Sequence, residues 1–87
     1  RDFIVSKETT SKELETEIKR AGGRLLTNID VFDVYTGENV KENKKSIAYN
    51  LTFQSFEKTL TDEEVMQIFN DIINKVETNL NAKLRSE

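Results

Sequence analysis

The stretch VFDVYTG, residues 31–37, sets a carboxylate and a phenol two positions apart on an otherwise apolar ribbon. Asp33 can accept hydrogen bonds from N–H donors, and Tyr35 offers a π face with a hydroxyl at its tip. A hydroxyl of similar interest, Ser46, stands in KKSIAYNLTFQ (44–54). These groups suit recognition better than bond-making. The 87 residues contain no histidine and no cysteine, which removes the commonest general base and the commonest metal ligand. Ser-His-Asp triads, Cys-His pairs, zinc sites and disulfides are excluded within this sequence. No nucleophile–base pair is present, so a small metabolic enzyme ranks behind a binding module. The acidic run in LTDEEV is helix capping rather than a magnesium site, because Thr61 and Glu64 already explain it.

The elements that must position Asp33, Tyr35 and Ser46 are legible as patterns. DFIVS (2–6) alternates as a short strand, with Phe3 and Val5 on one face and Asp2, Ile4 and Ser6 on the other. TSKELETEIKRAGG (10–23) is a helix opened by a Thr10/Glu13 capping box. Leu14, Ile18 and Ala21 form its buried face, and Gly22 or Gly23 ends it in a left-handed conformation. RLLTNIDVFDVYTG (24–37) is a long strand whose alternation changes phase, so a bulge is expected near Val31. With that bulge, Phe32 and Val34 face the core, and Asp33 and Tyr35 face outward. After a polar loop at 38–43, Ile47, Tyr49, Leu51 and Phe53 alternate with Ser46, Ala48, Asn50 and Thr52 in a third strand. The two strands make an antiparallel hairpin.

LTDEEVMQIFNDIINKVETNL (60–80) is a second helix with Val65, Phe69, Ile72, Val76 and Leu80 as its stripe. AKLRS (82–86) adds a last strand, with Ala82 and Leu84 inward and Lys83 and Arg85 outward. The order βαββαβ, with right-handed crossovers, specifies an α+β, ferredoxin-like fold: a four-stranded antiparallel sheet with two helices on one face. One domain spans residues 1–87, and a strand at the very first residues suggests a domain cut from a longer chain.

The uncovered face then presents Ile4, Asp33, Tyr35, Lys44, Ser46, Ala48, Asn50, Lys83 and Arg85. An aromatic ring, a carboxylate, a hydroxyl and a few cations are the mixture that reads unpaired nucleobases. A carboxylate accepting from amino and imino N–H groups favours guanine's Watson–Crick edge. Plainer roles compete. Tyr35 could be a half-buried packing residue, Asp33 could pair with Lys44 or Lys45 across the hairpin, and Lys41, Lys44 and Lys45 could be a solvated cluster. The formal charge of −3 argues against a free-standing nucleic-acid binder, which is usually basic. Strands one and three carry Ile4, Ala48 and Asn50 where a conventional RNA-recognition module has aromatics, so this is not that module.

The string VFDVYTG…KKSIAYNLTFQ…KTLTDEEV…AKLR resembles the C-terminal, ferredoxin-fold anticodon-binding domain of the bacterial phenylalanyl-tRNA synthetase beta subunit. The likeness covers nearly the whole chain. It implies a module that grips the anticodon stem-loop of phenylalanine tRNA, with Tyr35 stacking on a base and Asp33 and Ser46 hydrogen-bonding beside it. It also implies a cytoplasmic parent enzyme that uses ATP and magnesium, pairs with a catalytic alpha subunit as alpha2-beta2, and ligates phenylalanine to tRNA. The domain itself would need no cofactor and no membrane. Thr36 and Asn50 stand where relatives often carry charge, VKEN replaces a Pro-x-Gly loop with Asn43 at the left-handed position, and Asn81 replaces a glycine. The alternative from a different class is a protein-interaction or regulatory module that dimerises through its open sheet.

Overall fold

Local chemistry sets the ends of both helices in this computed structural model, which describes residues 1–36 and 40–84, with the backbone alone at Phe32, Asp33 and Tyr35. Strand β1 spans Asp2–Ser6, helix α1 Ser11–Gly22, β2 Leu26–Tyr35, β3 Lys44–Phe53, α2 Asp62–Leu80 and β4 Lys83–Leu84. Thr10 and Thr61 cap α1 and α2. Each hydroxyl accepts from the backbone N–H three residues on, and Glu13 and Glu64 return the bond to the cap N–H. At the other end of α1 the Gly23 N–H donates to the Lys19 carbonyl, with φ at +66°. The chain then tightens into a 3-10 turn over Gly23–Leu25. Strand β2 therefore starts at Leu26, two residues later than the sequence pattern predicts. Gly22 is required there for space, because a Cβ on it would meet Leu26 Cδ2 at 2.5 Å.

The four strands form one sheet in the order β2-β3-β1-β4, and all three pairings are antiparallel. Phe3, Val5, Leu14, Ile18, Ile47, Ile72 and Val76 are fully enclosed between sheet and helices. Tyr49 joins them, stacked on Phe3 with ring centroids 5.1 Å apart. The helices are tied at Glu17, a buried carboxylate that accepts from Asn79 Nδ2 at 2.6 Å and lies 3.7 Å from Arg20. The Arg1 guanidinium sits 5.0 Å from the Phe69 ring centroid, close enough for a cation–π contact.

Strand β2 slips register twice against β3, between Leu26 and Asn28 and again between Val31 and Asp33. Each slip adds one residue and exchanges the faces of everything after it. Leu26, Ile29, Val31 and Val34 therefore oppose Phe53, Leu51, Tyr49 and Ile47, the row that packs on the helices. Asp33 opposes Ala48 and Tyr35 opposes Ser46. The slip near Val31 is the one the phase change predicts. The slip near Thr27 is an addition.

Three local expectations need correcting. Val34 pairs with the buried Ile47 but is 49% exposed, because it lies near the far end of an edge strand, eight residues beyond the buried Leu26. Asn43 does not adopt positive φ; among the described non-glycine residues Asn81 does, at φ 52°, ψ 37°. Asn43 instead accepts the Lys7 N–H at its carbonyl, which anchors the turn without a left-handed residue. β4 is only Lys83–Leu84, and Arg85 lies outside the described residues. The Leu84 N–H donates to a carboxylate oxygen of Glu77, so a side chain of α2 as well as β1 holds this short strand.

Candidate nucleic-acid interface

With both helices on one side, the opposite side of the sheet is organised in cross-strand rows, since directly opposed residues share a face. One row crosses all four strands: Tyr35 opposes Ser46, Ser46 opposes Ile4, and Ile4 opposes Lys83. The next row sets Asp33, Ala48 and Asp2 side by side, and the one beyond pairs Asp30 with Asn50. At the other end Lys44 opposes Ser6. Eight of the nine positions expected at the site thus fall on this side of the sheet by register. Arg85 is the ninth and is not among the described residues. At Asp33 and Tyr35 the placement is that of the backbone.

The side chains along these rows differ in access. Asn50 and Lys83 are exposed, and Ile4, Lys44 and Ala48 are half-buried. Ser46 is enclosed at 1% exposure, and its hydroxyl donates to the Asp2 carboxylate at 3.0 Å. Asp2 is the functional candidate that sequence reasoning passed over. Its parity with Ile4 and Ser6 already placed it on this face, and only the pairing of β1 with β3 brings it beside Ser46. Asn28 and Asp30 on β2 are also exposed, joined by a 3.1 Å hydrogen bond from the amide to the carboxylate. Asp33 faces Ala48 in register, and Lys44 lies beyond the Tyr35–Ser46 row.

The described side chains of this surface offer carboxylate, amide and ammonium groups. The large apolar side chains with substantial exposure among the described residues are Val34, Phe56 and Met66. These lie on the helix-facing row, in the loop after β3 and on α2, and not on the open face. The described residues gather no group of three or more histidine, cysteine or carboxylate ligands fit for a metal ion. No described helix is long and apolar enough to cross a membrane.

Comparison with known proteins gives this surface a family context. A family model described as the ferredoxin-fold anticodon binding domain matches residues 1–85. The beta subunit of phenylalanine--tRNA ligase from Shouchella clausii is 47% identical over 84 residues, covering 97% of this chain and 10% of that protein. The Bacillus subtilis beta subunit is 44% identical over 83 residues, 95% of this chain and 10% of its own length. The Listeria monocytogenes beta subunit is 42% identical over 83 residues with the same coverage. The chain spans about a tenth of the length of these relatives. A match through every strand and both helices shows that this chain belongs to the ferredoxin-fold anticodon binding domain family.

Proposed function

We propose that this domain binds the anticodon stem-loop of phenylalanine tRNA as a module of a phenylalanine–tRNA ligase beta subunit. The observation that carries this reading is membership, over residues 1–85, in a family described by anticodon binding. The layout of the sheet supports it. Tyr35 and Asp33 occupy neighbouring rows on the side away from the helices. An unpaired base stacks on Tyr35 and donates from its edge to the Asp33 carboxylate. Ser46 is buried and acts through Asp2, whose carboxylate it fixes, rather than by exposing its own hydroxyl.

The chemistry of ligation belongs elsewhere in this reading. Activation of phenylalanine with ATP and magnesium would be the work of the rest of a cytoplasmic alpha2-beta2 enzyme and its catalytic alpha subunit. The domain contributes recognition, and with a net charge of −3 its own affinity is weak and sensitive to salt.

The test is titration of this chain with the phenylalanine anticodon stem-loop, followed by chemical-shift mapping and calorimetry. Shifts should centre on residues 33, 35, 46 and 48. Tyr35→Ala should weaken binding by about 1–3 kcal/mol, roughly 5- to 150-fold, with an unchanged fold by circular dichroism. Shifts confined to the helix layer, or full affinity in Tyr35→Ala, would remove the proposal.

A further inference from the structure

We propose that Lys41, Lys44 and Lys83 form a phosphodiester-binding cleft at one end of the open sheet face, which takes the RNA backbone beside the base at Tyr35. This rests on the RNA-binding reading above and adds where the phosphates lie. The three lysines come from separate places in the chain yet line one depression together with Ile4. Lys44 opens β3, Lys83 opens β4, and Lys41 lies in the turn before β3.

Backbone bonds hold that turn in place. The Lys44 N–H donates to the Lys41 carbonyl at 2.9 Å, and the Lys7 N–H donates to the Asn43 carbonyl at 3.1 Å. Lys41 is therefore fixed at the end of β1 and not carried on a free loop. None of the three lysines is held in an ion pair: among the described residues the ion pairs join Arg20 to Glu17 and Lys58 to Glu64. One carboxylate, Glu77, also lines the depression. It accepts the Leu84 N–H and so secures β4 beneath Lys83. Among the residues that line the depression, three cations against one committed carboxylate leave a surplus of positive charge.

That surplus matters because the chain as a whole is negative. Its summed field does not draw a polyanion, so phosphate contacts have to come from a local cluster of cations. The cleft is also correctly situated. Ile4 lines it and belongs to the row that runs from Tyr35 through Ser46 to Lys83. Three inter-strand steps separate the ends of that row, about 14 Å. A single strand crossing the sheet along this row would set a base at one end and phosphates at the other. Base contacts specify and phosphate contacts position, and the two tasks fall at opposite ends of one row.

The experiment measures affinity for the phenylalanine anticodon stem-loop across a salt series. It compares the wild type, a Lys41→Ala/Lys44→Ala/Lys83→Ala variant, and a control Lys12→Ala/Lys19→Ala/Lys75→Ala variant on the helices with the same net charge. The cleft variant should bind at least tenfold more weakly at low salt. Its slope of log K against log salt should be shallower by about 2, close to one unit or less per lost phosphate contact. The control should keep the wild-type slope to within about half a unit. Lys44 is half-buried, so Lys41→Ala/Lys83→Ala, at two exposed positions, serves if the triple variant unfolds. An unchanged slope in the cleft variant, or an equal change in the control, overturns the cleft and leaves RNA binding standing. Failure of the wild type to bind the stem-loop overturns both.

Discussion

The Ser46 hydroxyl donates to the Asp2 carboxylate across 3.0 Å, joining residues 44 positions apart in the chain. It links β1 to β3 on the side of the sheet away from the helices. Ser46 is enclosed while Asp2 is half-buried, so the bond is protected from water at its donor end. Hydrogen bonds to charged groups are worth about 1.5–3 kcal/mol when buried, and less with partial exposure. Ser46→Ala should therefore cost about 1–2 kcal/mol of stability. Asp2→Asn keeps a carbonyl oxygen as acceptor and should cost roughly half as much. Urea midpoints of the two variants, with equal slopes, make the comparison. No loss in Ser46→Ala would show that the bond does not stabilise the sheet, and equal losses in both would show that it needs the charged acceptor.

How far the sequence foretold this arrangement depends on the range of the interaction. The capping boxes at Thr10 and Thr61 were readable because both partners lie within four residues. β1 and β3 alternate cleanly, so their faces followed from parity alone. In β2 the spacing of the helix-facing residues, 26, 29, 31 and 34, steps by three at each register slip. The second slip showed as a conflict around VFDVY. The first hid in LLTN, where Leu25 and Leu26 both look apolar and either could face inward. The exposure of Val34 could not be read from parity, because it depends on how far the helices reach over an edge strand. The burial of Ser46 and its bond to Asp2 depend on register between strands that are distant in sequence. Lys41 looked like loop surface for the same reason, since its nearness to Lys83 exists only after β4 docks on β1.

The helix caps predict an acid sensitivity with a definite sign. A hydrogen bond from Lys58, followed by the backbone N–H and hydroxyl of Thr61, holds the Glu64 carboxyl below its ordinary value of 4.5. A carboxyl depressed in the folded state leaves the unfolded chain binding more protons in acid. Its contribution is therefore present above the ordinary glutamate value and is lost as pH falls through the lower, folded-state value. The stability gap between wild type and Glu64→Gln should be visible at neutral pH and should narrow at an acid pH below the ordinary glutamate value. Thr61→Ala removes the cap itself and should cost about 1 kcal/mol. Thr10→Ala should cost a similar amount on α1, where no lysine supports the box. Urea midpoints at the two pH values decide it. A gap that widens on acidification would contradict the assignment.

Tyr49 makes the opposite kind of prediction, in which removing a polar group does no harm. Its ring packs on Phe3 in the core, and its hydroxyl is buried with no hydrogen-bond partner among the described residues. Leaving such a group unsatisfied costs about 1–3 kcal/mol of desolvation. Tyr49→Phe keeps the ring and removes that cost, so stability should rise by about 1 kcal/mol or stay level. Burial also pushes the phenol well above its ordinary value of 10.0; the Arg1 charge opposes this shift and Asp2 adds to it. A phenol raised in the folded state favours folding fully below the unfolded value, and that contribution declines as pH rises above about 10. The wild type should therefore lose stability in alkali faster than Tyr49→Phe. Thermal or urea unfolding at neutral pH and near pH 11 tests both halves. A loss of more than about 1 kcal/mol in Tyr49→Phe at neutral pH would mean that the hydroxyl has a stabilising partner after all.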